Sequence, residues 1–355
     1  MRYTRFGFVV LLAVMLAASA FAQAPAAKPH VVILATGGTI AGAAASETAA
    51  GYSSGAVAVD TLIAAVPQMK DLAIVTGEQI ASIGSQDMND EVWVKLAART
   101  NELLASKDVD GVVITHGTDT LEETSYFLHL VVKSEKPVVM TGSMRPSTAM
   151  SADGPLNIYN AVAIAADPQS RGRGVLVAIN DDIHSAHDLV KTHTTDVETF
   201  TSNEPGLIGV TLFGKQEFYR SPAKLHTAHS EFSVKAGQKL PRVDIIYAHA
   251  NMSPDLIDAA VANGAKGLVI AGVGDGNMTS PALEAVKRAV AKGVVVVRSS
   301  RTGRGIIRRN IEVDDDKVGT VASIDLNPGK ARVLLQLGLT KTSDAKKIQD
   351  YFDRY

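Results

Sequence analysis

The sequence predicts an α/β protein with a larger N-terminal doubly wound domain, built on a mixed or parallel sheet, and a smaller C-terminal α/β domain. Three observations lead there. Short β-branched runs ending in Gly, Thr, Ser or Asn alternate with stretches whose apolar residues recur at helical spacing. The alternation breaks once, from about Lys215 to Pro241, and then resumes. The 355 residues, 46% hydrophobic and 20% charged, supply apolar chain for two cores and leave little for long disorder.

The chain begins with Arg2 and Arg5, an apolar run over 6–18 and then Ala20-Phe21-Ala22, the pattern of a secretory signal that ends near residue 22. A membrane anchor is the competing reading, but the run is shorter than the roughly 20 residues a helix needs to span a bilayer. Export to the periplasm is therefore expected, with no membrane attachment after cleavage. An exported chain with no cysteine holds together by packing and assembly alone.

Strands are expected at 31–35, 73–77, 111–115, 137–141 and 174–180, with helices at 90–106 and 120–134 between them, and strand-helix alternation of this kind gives a parallel sheet covered on both faces. This first domain is assigned to 30–219. Residues 220–241 lack a sustained period and read as a linker. The second domain, 242–355, carries strands at 243–247, 267–271 and 294–298, helices at 253–263 and 281–292, and a late helix over 326–340 capped near Asn327.

A net charge of −2 gives no field to attract nucleic acid or anionic lipid, so a small-molecule partner is expected. Two strand ends carry residues suited to chemistry on it. The first is Thr36-Gly37-Gly38-Thr39, where glycines let the backbone come close to a ligand and expose the following hydroxyl; a plain strand-to-helix turn is the alternative. The small, nearly uncharged stretch 41–55, with Tyr52 as its one aromatic, has the composition of a flap and equally of a surface loop.

The second strand end is Thr115-His116-Gly117-Thr118-Asp119-Thr120, which also reads as a helix N-cap partnered by Glu122 or Glu123. Ser85 and Gln86, in Gly84-Ser85-Gln86-Asp87, could bind a carboxylate or simply make a turn. Lys191 precedes Thr192-His193-Thr194-Thr195-Asp196. A threonine hydroxyl needs a base to act as a nucleophile, and a desolvated lysine can be one; a solvated surface charge is the bland reading.

Gly272-Val273-Gly274-Asp275-Gly276-Asn277 follows a strand but lacks the third glycine of a dinucleotide-binding turn. The nine histidines have no metal-ligand spacing, so neither metal nor cofactor is expected. The acidic run 312–316 reads as a solvated face rather than a calcium loop.

Taken together, Ala35-Thr36-Gly37-Gly38-Thr39-Ile40 and Thr115-His116-Gly117-Thr118-Asp119-Thr120 resemble the paired signatures of the bacterial type II, periplasmic L-asparaginases. The likeness runs in order through Gly84-Ser85-Gln86-Asp87, Met144-Arg145-Pro146, Ser151-Ala152-Asp153-Gly154, Lys191-Thr192, Gly272-Val273-Gly274 and Leu326-Asn327-Pro328, across nearly all of the mature chain. It implies hydrolysis of L-asparagine through an acyl-enzyme, with Thr39 as the nucleophile and Tyr52 closing on it. It further implies Thr118, Asp119 and Lys191 as a proton-handling group, Ser85, Gln86, Thr118 and Asp119 as substrate contacts, and Asn277 and Glu312 as contributions from a neighbouring subunit in a homotetramer built as a dimer of dimers.

The chemistry of a free amino acid agrees with these implications, because its ammonium needs a carboxylate and its carboxylate needs donors, both held in a desolvated pocket. The glycine turns before Thr39 and Thr118 could present amides to the oxyanion. One methylene is worth only about 1–3 kcal/mol of discrimination, so side activity on L-glutamine is expected. The rival readings are a glutaminase-asparaginase equally active on both amides, a periplasmic amino-acid binding protein without catalysis, and a nucleotide-dependent oxidoreductase.

Overall fold

A computed structural model describes residues 27–47 and 52–355; the expected signal segment 1–22 and the centre of the 41–55 stretch lie outside the described residues. The chain runs β1 (His30–Gly37), β2 (Ala43–Ala44), β3 (Tyr52–Ser53), α1 (Val59–Ala65), α2 (Met69–Leu72), β4 (Ile74–Ile83), α3 (Asp90–Ala105), β5 (Gly111–Thr115), α4 (Leu121–Val131), β6 (Val138–Thr141), α5 (Gly154–Ala166), β7 (Val175–Ile179), β8 (Asp182–Ser185), β9 (Leu189–Lys191), β10 (Phe200–Ser202), β11 (Gly209–Leu212) and β12 (Lys215–Phe218). The second domain follows as β13 (Val243–Tyr247), α6 (Asp255–Ala262), β14 (Gly267–Gly272), α7 (Ser280–Ala291), β15 (Val295–Ser300), α8 (Asp315–Val318), β16 (Val321–Ala322), α9 (Pro328–Gly338) and α10 (Ala345–Arg354).

The eight-stranded sheet has the order β12-β11-β8-β7-β6-β5-β1-β4. Strands β4, β1, β5, β6 and β7 are parallel, and β8, β11 and β12 extend the sheet antiparallel. The expected mixed, doubly wound sheet is therefore present. Strands β1, β5, β6 and β7 are buried along almost their whole length and so read as continuous apolar, largely β-branched runs rather than alternating ones. Chain order reverses at β1, which lies between β4 and β5, so the crevice beyond the carboxyl ends of β1 and β5 is the topological switch point where ligands bind in such sheets.

Helices α1, α2 and α5 cover one face, with Leu62, Met69, Ile158 and Ile164 in its core. On the other face Trp93, Leu96, Phe127 and Leu130 of α3 and α4 share one apolar cluster with Leu334, Leu335 and Phe352 of α9 and α10, so the core runs without a break from the first domain into the second. The smaller sheet, β13-β14-β15-β16, is parallel throughout and packs α6 and α7 on its far side. Asn89, Thr279 and Asn327 cap α3, α7 and α9 with their side chains.

Two expectations need correction. Helix α4 stops at Val131 rather than 134, because Val132 is extended and the Lys133 amide donates to Asn101 Oδ1. The stretch read as a linker is not a loose tether. Edge strand β12 lies just ahead of it, where the alternation breaks, and its charged, alternating Lys215-Gln216-Glu217-Phe218 suits a sheet margin and hides a strand from a search for apolar runs. Further on, Phe232 is fully buried, edge-on to Tyr351 at 5.0 Å, and the Glu231 amide donates to the Tyr355 hydroxyl.

The ends of β1 and β5 meet backbone to backbone. A Cβ on Gly38 would fall 2.3 Å from the Cα and the amide nitrogen of Gly117, at a φ of +81° that only glycine adopts without strain. A Gly38→Ala variant is expected to lose several kcal/mol of stability. Gly172→Ala, also at positive φ but with nothing within 4 Å of the new methyl, should cost only about 1–2 kcal/mol. Thermal denaturation of both variants checks this, and equal losses would show that the Gly38–Gly117 contact imposes no constraint beyond backbone strain.

Candidate active site

Three loops at the carboxyl end of the sheet converge on the switch point. Thr36 Oγ1 donates to the Thr115 carbonyl at 2.9 Å, tying β1 to β5, and the Gly38 amide donates to Ile83 O at 2.9 Å, tying β1 to β4. After β4 the chain makes a short helical turn over Ser85–Asp87, and Ser85 bridges to the turn after β5. Its hydroxyl accepts from the Asp119 amide at 3.2 Å and its carbonyl accepts from Thr120 Oγ1 at 2.7 Å. A Cβ on Gly117 would sit 2.6 Å from that same hydroxyl, so glycine is required there too.

Lys191, at the end of β9, reaches this turn from the side. Its Nζ donates to Thr118 Oγ1 at 2.9 Å and to Asp119 Oδ1 at 2.7 Å. The three residues grouped from the sequence are thus in direct contact. Thr118 is buried and Lys191 mostly so, while the Asp119 carboxylate is 62% exposed and offers negative charge to the opening. The opening is a shallow concavity of about 470 Å³ lined by Asp119, Glu122, Lys191, Thr192, His193 and Thr194. A larger groove lies between α3, β4 and residues 236–240, but none of the hydroxyls or the lysine named above lines it.

The other expected site residues fall as follows. Thr39 is buried in the helical turn Thr39–Ala41 that follows Gly38. Tyr52 pairs through its backbone with Ala44 in the ribbon β2–β3, which returns the chain beside that turn, where the Gly55 amide donates to Gly38 O. Gln86 is exposed, with Nε2 donating to Asp87 Oδ2 at 3.3 Å. Asn277 closes the loop after β14, and Glu312 is exposed in the loop before α8. Among the described residues no hydrogen bond or ion pair of this single chain joins Asn277 or Glu312 to Thr118, Asp119 or Lys191.

Several alternatives are decided by the geometry. Neither Thr118 nor Asp119 caps α4 with its side chain, and Glu122 does not complete a capping box; it accepts from the Lys191 amide at 3.0 Å instead. The Gly38 amide is engaged by Ile83 and so is not the oxyanion donor expected of that turn. The loop 272–277 is no phosphate cradle: it folds back through paired Val273 and Asn277, and carbonyls of Asp275 and Gly276 accept from Arg298. The acidic run is not wholly a solvated face, since Asp315 is fully buried in a bidentate pair with Arg298, at 2.7 Å to each nitrogen. Among the described residues no group of His, Asp or Glu has the arrangement of a metal site.

His116 sits inside the second motif but does not line the opening. It is fully buried, its Nδ1–H donates to Gly117 O at 2.7 Å, and burial lowers its pKa to about 4, opposed by that hydrogen bond. The ring is therefore neutral at neutral pH.

Residues 30–224 match the family model described as Asparaginase, N-terminal, and residues 242–352 match the Glutaminase/Asparaginase C-terminal domain. A protein of Haemophilus influenzae named probable periplasmic L-asparaginase is 54% identical over 92% of this chain and 93% of its own length. A glutaminase-asparaginase of Acinetobacter glutaminasificans is 48% identical over 92% of this chain and all of its own. In three dimensions the crystal structure of a probable cytoplasmic L-asparaginase from Campylobacter jejuni superposes with a TM-score of 0.90 at 49% identity, covering 92% of this chain and all of the other.

His116 also makes the fold sensitive to acid. Its folded pKa lies below the ordinary 6.5, so the unfolded chain binds more protons between about pH 6.5 and 4. Stability from this group is complete above pH 6.5, falls as the pH drops through that window by about 3 kcal/mol, and changes no further below pH 4. A His116→Gln variant should show a smaller drop in melting temperature between pH 7 and 4.5 than the parent. An unchanged drop would remove His116 from the acid response.

Proposed function

The chain belongs to the asparaginase family and is an amidohydrolase of the L-asparaginase type; from that premise we propose that it hydrolyses L-asparagine to L-aspartate and ammonia through a threonine acyl-enzyme. The observation that carries the mechanism is the contact of Lys191 Nζ with both Thr118 Oγ1 and Asp119 Oδ1. Thr39 Oγ attacks the side-chain amide carbon, its hydroxyl proton is relayed to the amide nitrogen, the tetrahedral intermediate expels ammonia, and an aspartyl ester remains on Thr39. Water then cleaves that ester, giving its proton to the Thr118–Lys191 pair, and Thr39 recovers its hydroxyl hydrogen. Lys191 passes protons to and from Thr118, while Asp119 steadies the ammonium form of Lys191 through one oxygen and takes the substrate's α-ammonium with its exposed carboxylate.

Ser85 and Gln86 receive the α-carboxylate at the opening, Tyr52 closes over Thr39 from the β2–β3 ribbon, and Asn277 and Glu312 complete the site of a neighbouring subunit in a homotetramer. The same site accepts L-glutamine more slowly, since a single methylene is a weak basis for rejection. The 2.9 Å contact with Lys191 favours one second reading, in which Thr118 itself carries the acyl group; mass spectrometry of the trapped acyl-enzyme distinguishes the two threonines. We place the mature protein in the periplasm on the strength of residues 1–22, and N-terminal sequencing of protein recovered from that compartment tests the cleavage.

Thr39→Ala and Lys191→Ala are each expected to lower ammonia release at least a thousandfold while leaving the melting temperature within a few degrees of the parent, as removal of a nucleophile or its base does. Normal release from either would show the role to be misassigned. Glu312→Ala should raise KM for L-asparagine, and full activity in a monomer would overturn the shared site. Side-by-side rates on the two amides should favour L-asparagine at least tenfold; equal rates would make the protein a glutaminase-asparaginase.

A further inference from the structure

Lys191 stands on poor ground for a residue that must hold its position. Strand β9 is three residues long and pairs only with β10, as a two-stranded ribbon outside the main sheet. Such a ribbon is at best marginally stable by itself. A lysine side chain adds four rotatable bonds between that backbone and the ammonium that meets Thr118.

Two charged side chains grip the segment from beneath. Glu122, in the first turn of α4 and one helical turn beyond Thr118, accepts from the Lys191 amide at 3.0 Å through Oε2 and from Asn327 Nδ2 at 3.1 Å through Oε1. Asn327 is the cap of α9, its Oδ1 accepting from the Lys330 amide at 3.0 Å. Lys330, only 2% exposed, turns its ammonium away from solvent and donates to His187 O at 2.7 Å and to the Leu189 carbonyl. The carbonyls of 187 and 189 and the amide of 191 are therefore all held by the starts of two helices, one from each domain.

Burying an ammonium against carbonyls alone costs several kcal/mol in desolvation, and an apolar side chain of the same length would fill this space at least as well for stability. Among the described residues no carboxylate is within hydrogen-bonding distance of Lys330; the acids that act on it from further off are Glu122, Asp188 and Asp325. What a methionine could not do is fix two carbonyls of the strand that ends in Lys191.

We propose that Glu122 and Lys330 are positioning residues for Lys191, clamping the segment His187–Lys191 between α4 and α9 so that its Nζ stays on Thr118. Both ends of Lys191 then refer to the same stretch of chain: the tip to Thr118 and Asp119, the backbone to Glu122 a few residues on. Through Asn327 and Lys330 the C-terminal domain takes part in the geometry of a site whose acting hydroxyls lie in the N-terminal domain. The inference rests on the catalytic role given to Lys191 above, and the two fail separately in the following experiment.

Ammonia release from L-asparagine is measured for Glu122→Ala, Glu122→Gln, Lys330→Met, Lys191→Met and the double variant Lys191→Met/Glu122→Ala, with rates referred to folded protein by size-exclusion chromatography and near-ultraviolet circular dichroism. Glu122→Ala and Lys330→Met should each lower kcat by about 10- to 100-fold with KM within about threefold, the size of effect that a misplacement of about 1 Å produces. Glu122→Gln, which keeps an acceptor for the Lys191 amide, should recover most of the loss. In the Lys191→Met background the Glu122 change should have no further effect, because the residue it positions is gone. Parental kcat in Glu122→Ala, or a Glu122 effect that persists undiminished without Lys191, overturns the proposal. Should Lys330→Met fail to fold, the Glu122 variants and the double variant decide alone. Undiminished turnover in Lys191→Met would instead overturn the catalytic reading.

Discussion

The contact on which the site depends is the one between two glycines. Strands β1 and β5 are ordinary parallel neighbours until Ala35 and Thr115; beyond that, Gly38 lies against Gly117 with no room for a methyl group on either side. Parallel neighbours normally diverge once the ladder ends, because each chain turns off into its own helix. Here the divergence is delayed by one turn, and Thr39 and Thr118 follow the two glycines at once. Gly37 against Ile83 and Gly117 against Ser85 bring the end of β4 to the same point. Three loops that begin in different parts of the sequence thus share one short stretch of packed backbone, and their side chains need no long reach to meet.

Electrostatics then separates buried, neutral groups from the charged groups at the opening. His116, within the second motif, is kept neutral by complete burial, and His184 and His129 elsewhere in the core are depressed chiefly for the same reason, His184 to about 3. Lys191 and Asp119 lie instead at the opening, where an amino-acid substrate brings its own pair of charges. Lys191 combines access to solvent with contact to a buried hydroxyl, which suits it to the proton transfers proposed above.

How much of this was legible in the sequence follows from what each residue does. The parallel strands were legible because burial on both faces leaves continuous β-branched runs, and the glycine-threonine ends were legible because close backbone approach excludes other residues. Strand β12 was not, since an edge strand carries polar residues at the positions where a central strand carries Val and Ile. Glu122 read equally well as a capping partner: its spacing from Asp119 fits a capping box, and nothing local reveals that a strand 69 residues away supplies the amide it accepts. Lys330 was invisible for the opposite reason, as a lysine within the first turn of an amphipathic helix looks solvated until the second domain is placed against the first. Residues that act locally leave a pattern; residues that join distant segments do not.

The same distinction explains Asn277 and Glu312, which the family resemblance named and local chemistry could not. They lie on separate loops of the C-terminal domain, yet one buried device organises both. Arg298, fully buried on β15, donates to the carbonyls of Asp275 and Gly276 on the loop that ends in Asn277, and to the carbonyl of Arg308 on the loop that leads to Glu312. Its partner Asp315 accepts from the Asn310 amide and from Thr320 Oγ1, closing the second loop at its far end. A buried ion pair adds little net stability against an apolar alternative, but removal of one partner strands the other and costs about 3–5 kcal/mol. Here the pair has a further consequence, because the two loops cannot shift independently while both are bound to one guanidinium. Under the shared site proposed above, Asn277 and Glu312 would reach a neighbouring subunit as a fixed pair, and a change in either loop would be felt at the other through Arg298.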